Sequence, residues 1–174
     1  MPDMFLFVEG PDDDRLFRRV LRSRFESLPD VDAVHIIPYA EQPVRTVTKL
    51  INSCIALGDP YLFFSDLDKY PCVTACRDHA LETYESLSED RVRIVSLEIE
   101  SWYAATMADS EIVDCCPVRD GTANHITKED FNRLCGRRNV KPLVHKITLA
   151  AAFDIQRARR LNTSLDYVLR KDNL

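Results

Sequence analysis

Glycine is scarce in this chain, with four residues in 174. A phosphate loop of the GxxxxGK[ST] kind and a dinucleotide-binding turn both need glycines at fixed spacing, because only a backbone without Cβ can approach a phosphate that closely. Neither pattern occurs, which argues against an ATPase or a dinucleotide enzyme. No apolar stretch approaches the roughly 20 residues that a membrane helix needs, so no membrane partner is expected. There is no GxSxG elbow to present a nucleophilic serine. Six cysteines are present, but never as CxxC. Cys72, Cys76 and His79 fall on one helical face, while Cys115, Cys116, His125 and Cys135 are scattered further on. Neither set has zinc-site spacing, and the cysteines read as reduced thiols. Met1-Pro2-Asp3-Met4 leads straight into apolar residues without the basic and apolar regions of a signal peptide, so a cytoplasmic location is expected.

What is present describes an ordinary folded chain, 45% hydrophobic and 29% charged. Its length fits one domain over residues 1–174. The net charge of −5 is unevenly spread. From Arg133 onward ten Lys/Arg face three Asp, a balance of +7, whereas residues 1–132 carry −12. A basic segment beside an acidic body fits phosphate contacts next to a metal site, although solvated helix faces would give the same numbers.

The apolar pattern alternates between strand-like runs and helical stripes. Phe5–Val8, Ala33–Tyr39, Tyr61–Ser65 and Val92–Leu97 predict four strands. Between them, a helix capped by Asp12 or Asp13 runs to about Phe25, with Leu16, Phe17, Val20, Leu21 and Phe25 as its stripe. A second helix opens at Gln42-Pro43 and ends at Gly58, with Val44, Val47, Leu50, Ile51, Ile55 and Leu57 on its apolar side. A third covers about Val73–Leu87, and a short one Glu100–Met107. This β-α-β-α-β-α-β-α order predicts an α/β fold with a mainly parallel four-stranded sheet flanked by helices. Residues 109–125 read as irregular, with Pro117 and Asp120-Gly121 as turn formers. Thr127 then caps a helix, Pro142 starts another, and Ser164 is expected to cap the last, Leu165–Arg170, making the carboxyl-terminal third all helical.

Carboxylates cluster just beyond three of these strands. Glu9 follows strand one, with Asp13 in the next helical turn; Asp66-Leu67-Asp68 follows strand three; Glu98-Ile99-Glu100 follows strand four. Residues two apart in an extended segment point the same way, so each pair can address one point. Such like charges repel unless a cation or solvent intervenes. The carboxyl edge of a parallel sheet is where open α/β folds hold ligands, and hard oxygen donors suit Mg²⁺ or Mn²⁺. The pattern points to metal-dependent phosphoryl transfer. Helix-dipole complementation accounts for Asp12, Asp13 and Asp14, but not for Glu9. Lys146, in Val144-His145-Lys146-Ile147-Thr148, is either a snorkelling surface residue or a group that stabilises developing phosphate charge. His145 reads as structural.

At Val8-Glu9-Gly10-x-x-Asp13 and Asp66-x-Asp68 the chain resembles a Toprim domain, over about residues 4–105, with a helical extension over about 106–174. Glu98-Ile99-Glu100-Ser101-Trp102-Tyr103 and the downstream Lys146 are similar to Toprim nucleases of the OLD (overcoming lysogenization defect) type and their phage-defence relatives. That resemblance implies a Rossmann-like fold and a two-metal nuclease. Glu9 and Asp13 would serve one ion, Asp66, Asp68 and Glu100 the other, with Glu9 and Lys146 as catalytic groups and Lys146 on the scissile phosphate. Many relatives carry serine where this chain has Glu98, so both Glu98 and Glu100 stand as ligand candidates. OLD-type proteins carry an ATPase domain or work beside one, and this chain holds none, which leaves a partner in trans or independent action.

The expected function is therefore cleavage of phosphodiester bonds by two Mg²⁺ or Mn²⁺ ions, with DNA favoured over RNA. Arg137, Arg138, Lys141, Arg157, Arg159 and Arg160 are candidates to hold the nucleic-acid backbone. Two other readings stay open: a stand-alone Toprim RNA-processing nuclease, and a non-catalytic nucleic-acid-binding or regulatory subunit of a defence ATPase.

Overall fold

The computed structural model describes residues 1–68, 70–115 and 122–174, without the side chains of Val113 and Cys115. Its contacts divide the chain into two compact units, Met1–Ile94 and Val95–Leu174. The sheet is the α/β one that the sequence predicts. It comprises β1 (Met4–Val8), β2 (Val34–Pro38), β3 (Tyr61–Asp66) and β4 (Val92–Val95), in the order β2-β1-β3-β4. All four strands are parallel; β1 is in register with β2 through Leu6↔Ile36 and with β3 through Leu6↔Leu62.

In the first unit both faces of β1 and β3 are buried, as their continuous apolar runs require. Alternation separates the two faces. Phe7, Tyr61 and Phe63 join a core with Val47, Ile51 and Cys54 of α3 (Val44–Leu57) and Cys76 and Ala80 of α4 (Val73–Thr83). On the other parity lies Phe64, which meets Phe17 edge-on at 4.6 Å. Phe17 belongs to a helical segment that begins as α1 (Pro11–Leu16), passes through a π-helical turn (Phe17–Leu21) and ends as α2 (Arg22–Glu26). Within it Leu16, Phe17, Leu21 and Phe25 are fully buried.

Several expectations need correction. The first helix starts at Pro11, not at an aspartate cap: Pro at the first position lacks only an N–H that would have no helical partner. Asp13 reaches back instead, its Oδ2 accepting from the Gly10 N–H at 3.1 Å. On α3, Val47, Ile51 and Cys54 are buried in the core and Leu50 packs against it half-buried, while Val44, Ile55 and Leu57 are exposed. The helix ends as expected at Gly58, whose φ of 74° suits a residue without Cβ.

The second unit begins at the end of β4 and is otherwise helical: α5 (Glu100–Ala104), α6 (Asp109–Cys115), α7 (Lys128–Arg137), α8 (Pro142–Ala151), α9 (Ile155–Leu161) and α10 (Thr163–Lys171). Helix α6 occupies part of the stretch expected to be irregular. Glu111 braces its first turn, accepting from the Ala108 N–H at 2.9 Å, a one-sided cap that the neighbouring turn formers obscured. Pro117 and Asp120-Gly121 lie outside the described residues. Thr127 caps α7 as predicted, accepting from the Asp130 N–H at 3.2 Å. Ser164 does not cap α10. Asn162 does, accepting from the Leu165 N–H at 3.0 Å, and Ser164 Oγ is buried against the indole N–H of Trp102 at 2.8 Å. No helix among the described residues is long and apolar enough to cross a membrane.

Candidate functional site

The strand order decides where a ligand would sit in the first unit. β1 and β3 are neighbours, but β1 connects onward to β2 on one side and β3 to β4 on the other. A crevice opens beyond the carboxyl ends of two strands whose connections diverge in this way. Glu9 leaves β1 there, and Asp66 ends β3. Glu9 Oε2 accepts from the Asp66 backbone N–H at 3.1 Å, which ties the two strand ends together and fixes the Glu9 carboxylate over the crevice.

Glu9, Ser65, Asp66 and Asp68 line this crevice, of about 200 Å³, with Tyr39, Tyr84 and His79 on its walls. Among the described residues lining it, none is a lysine or arginine. The resulting negative field is felt by its neighbours. Burial pushes the Tyr39 hydroxyl well above its ordinary range, and Glu9 adds to the shift. The Tyr84 hydroxyl is raised by burial and then by Glu9. The Cys76 thiol is raised by burial, with Glu9, Asp66 and Asp68 pushing the same way. It donates to the Asp66 carbonyl at 3.3 Å. A thiol held neutral is a poor metal ligand, so the donors on offer here are hard carboxylate oxygens.

Backbone strain marks the same region. Asp68 has a φ of 37°, a conformation that aspartate tolerates better than most residues. In the second unit Leu97, just before Glu98, has a φ of 55°, a true outlier for a bulky side chain. Such strain persists only where surrounding contacts enforce it. Those contacts are visible: Ser101 Oγ donates to the Ser96 carbonyl at 3.0 Å, the Ser96 N–H donates to Ser164 Oγ at 3.0 Å, and buried Asn162 donates to Ser101 Oγ at 3.1 Å. The sequence offered no signal for this serine–asparagine network, because the bonds joining Ser96 and Ser101 to Asn162 and Ser164 span more than 60 positions.

The remaining candidates are placed less simply. Asp13 is buried and caps its own helix through Gly10. Glu98 Oε2 accepts from the Lys128 N–H at 2.7 Å, at the start of α7. Glu100 is buried and paired with Lys146 at 2.5 Å. Lys146 is therefore no snorkelling surface residue: it is 3% exposed, with its ammonium 5.9 Å from the Tyr103 ring centre and 5.5 Å from that of Phe131. Burial lowers the pKa of the adjacent His145, whose ring lies 5.5 Å from Phe131. Cys72 is exposed and Cys76 buried on α4. Of the basic candidates, Arg137 donates to the Asp114 carbonyl, Arg138 pairs with Glu111, Arg157 with Asp109, and Arg159 with Asp166, while Lys141 is exposed.

Among the described residues, no three His, Cys, Asp or Glu side chains are grouped closely enough to hold one ion between them. Mg²⁺ does not demand such a cage, since it commonly takes one or two carboxylates and completes its octahedron with water and substrate phosphate. The hard donors of the crevice fit that mode of binding. No protein-family model, curated protein or solved structure matches this chain.

Proposed function

We propose that this protein is a Mg²⁺- or Mn²⁺-dependent nuclease of the Toprim kind, cleaving phosphodiester bonds of DNA in the cytoplasm, alone or beside an ATPase supplied by another chain. One arrangement carries this reading: Glu9 hydrogen-bonded to the Asp66 N–H where β1 and β3 part, with Asp68 lining the same crevice. The motif resemblance at Glu9, Asp13, Asp66 and Asp68 points in the same direction.

On this reading one or two of Glu9, Asp66 and Asp68 would hold the ion, water and substrate phosphate would complete its shell, and Asp13 fixes the turn that carries Glu9. A divalent ion bound there supplies charge neutralisation on the phosphate and a more acidic coordinated water. The chain's own residues orient the reaction. The Asp66 N–H aims the Glu9 carboxylate, the neutral Tyr39 and Tyr84 wall the crevice, and the protonated Cys76 leaves it to hard donors. The resemblance assigns Glu98 or Glu100 to a second ion and Lys146 to the scissile phosphate; the Glu100–Lys146 pair would have to open for either role.

Cleavage of plasmid, single-stranded DNA and RNA with Mg²⁺ or Mn²⁺ tests the reading, alongside Asp66→Ala/Asp68→Ala. Cutting should require metal, favour DNA and vanish in the double variant. No cutting of any substrate by folded protein would discard the independently acting nuclease and leave a partner-dependent enzyme or a non-catalytic subunit.

A further inference from the structure

The second unit treats its arginines unequally. Arg137, Arg138 and Arg157 are held by Asp114, Glu111 and Asp109 within the fold. Arg159, Arg160 and Arg170 are arranged differently. With Gln156, Thr163 and Asp166 they line a concave surface of about 490 Å³ formed by α9 and α10. Three guanidinium groups face one carboxylate there, a local surplus of two positive charges in a chain whose net charge is −5.

Asp166 stands between two of them. Its Oδ1 accepts from Arg159 Nε at 2.9 Å, and its Oδ2 forms an ion pair with Arg170, 2.9 Å from Nε. Both pairings engage only the Nε side of the guanidinium and leave its two terminal nitrogens, the donors that match phosphate oxygens as a fork. Their rotamers are already ordered by Asp166, so a ligand need not bear that entropy. The Arg160 side chain makes no hydrogen bond or ion pair with any described residue.

The lining also selects the kind of partner. None of these side chains is aromatic or a large aliphatic, the anchors that hold protein–protein interfaces together. A polar, positively charged concavity is instead the character of nucleic-acid interfaces. Without an aromatic platform it can touch phosphates but not stack bases. We propose that Arg159, Arg160 and Arg170 form a docking surface for the phosphodiester backbone of nucleic acid, bound without sequence preference. The inference rests on the nuclease reading for its substrate class and adds Arg170 to the residues that hold it.

Fluorescence anisotropy with labelled single-stranded and duplex oligonucleotides, in EDTA and at several salt concentrations, tests it. Arg160→Gln/Arg170→Gln is compared with Lys49→Gln/Lys128→Gln, which removes the same charge from exposed positions outside that surface; thermal melts by circular dichroism check that both are folded. The arginine variant should lose about tenfold in affinity and show a log–log salt slope shallower by about two, one for each phosphate contact removed. The lysine variant should match the unaltered protein. Equal losses in both variants, or no nucleic-acid binding by the unaltered protein, would overturn the proposal. So would displacement of the oligonucleotide by polyglutamate as readily as by unlabelled DNA of equal charge, which would make the surface a site for acidic protein. Because binding is read in EDTA, apart from the chemistry, binding here together with no cleavage once Mg²⁺ or Mn²⁺ is supplied would sink the nuclease reading and leave this surface standing.

Discussion

Lys146 and Glu100 form the most consequential pair at the scale of single residues. Both are nearly inaccessible, and the ammonium is packed against Tyr103 and Phe131. Removing one partner of a buried ion pair leaves an uncompensated charge and costs about 3–5 kcal/mol, whereas removing both can be nearly neutral. Lys146→Met should therefore destabilise strongly, and Glu100→Gln/Lys146→Met should recover most of the loss. Urea titration followed by Trp102 fluorescence measures both, since the only tryptophan is buried in the same unit. Cys54 gives a pH prediction. Burial raises its thiol from 9.0 to about 11, with Asp59 adding to the shift. A folded-state pKa above the unfolded one contributes stability that is complete below pH 9 and lost as pH rises through 11. Stability should fall across that window, and less steeply in Cys54→Ala.

Helix ends carry most of what can be tested at the scale of elements. Gly58 terminates α3 with a positive φ and has no atom within 4 Å of the place a Cβ would occupy. Gly58→Ala thus suffers backbone strain without a clash and should cost about 1 kcal/mol, or about 2–4 °C in Tm. Gly10 is the contrast. Its φ of −141° suits any residue, and a Cβ would meet only Asp13 Oδ2 at 3.8 Å, so Gly10→Ala should leave Tm unchanged. Thr127→Ala removes the cap of α7 and should cost about 1 kcal/mol. Calorimetry on the three variants distinguishes strain, tolerance and capping.

For the whole molecule, the crevice carboxylates set stability against function. Three like charges around one cavity repel in the absence of a cation. In EDTA, Asp66→Asn/Asp68→Asn, which removes the charges and keeps a residue that tolerates the positive φ of position 68, should therefore melt no lower than the unaltered protein. Adding Mn²⁺ should raise the Tm of the unaltered protein only, because a ligand at about 100 times its Kd adds about 2.7 kcal/mol to the folded state. A Tm that responds equally in both proteins would place the ion elsewhere.

The sequence by itself determined the parallel α/β architecture, because doubly covered strands and amphipathic helices leave different apolar periods in a chain. Gly10-Pro11, Gly58, Thr127 and Pro142 punctuated it through local backbone chemistry, which needs no distant partner. The carboxylates Glu9, Asp66 and Asp68 were legible because acidic residues directly after buried strands have no packing role. The meeting of Glu9 with Asp66 was not, since strand order follows from how helices cover the sheet. Nor was the pairing of Glu100 with Lys146, 46 positions apart, or the displacement of Ser164 from cap to indole partner. Local pattern reports which face a residue presents, and only the folded chain decides what stands opposite it.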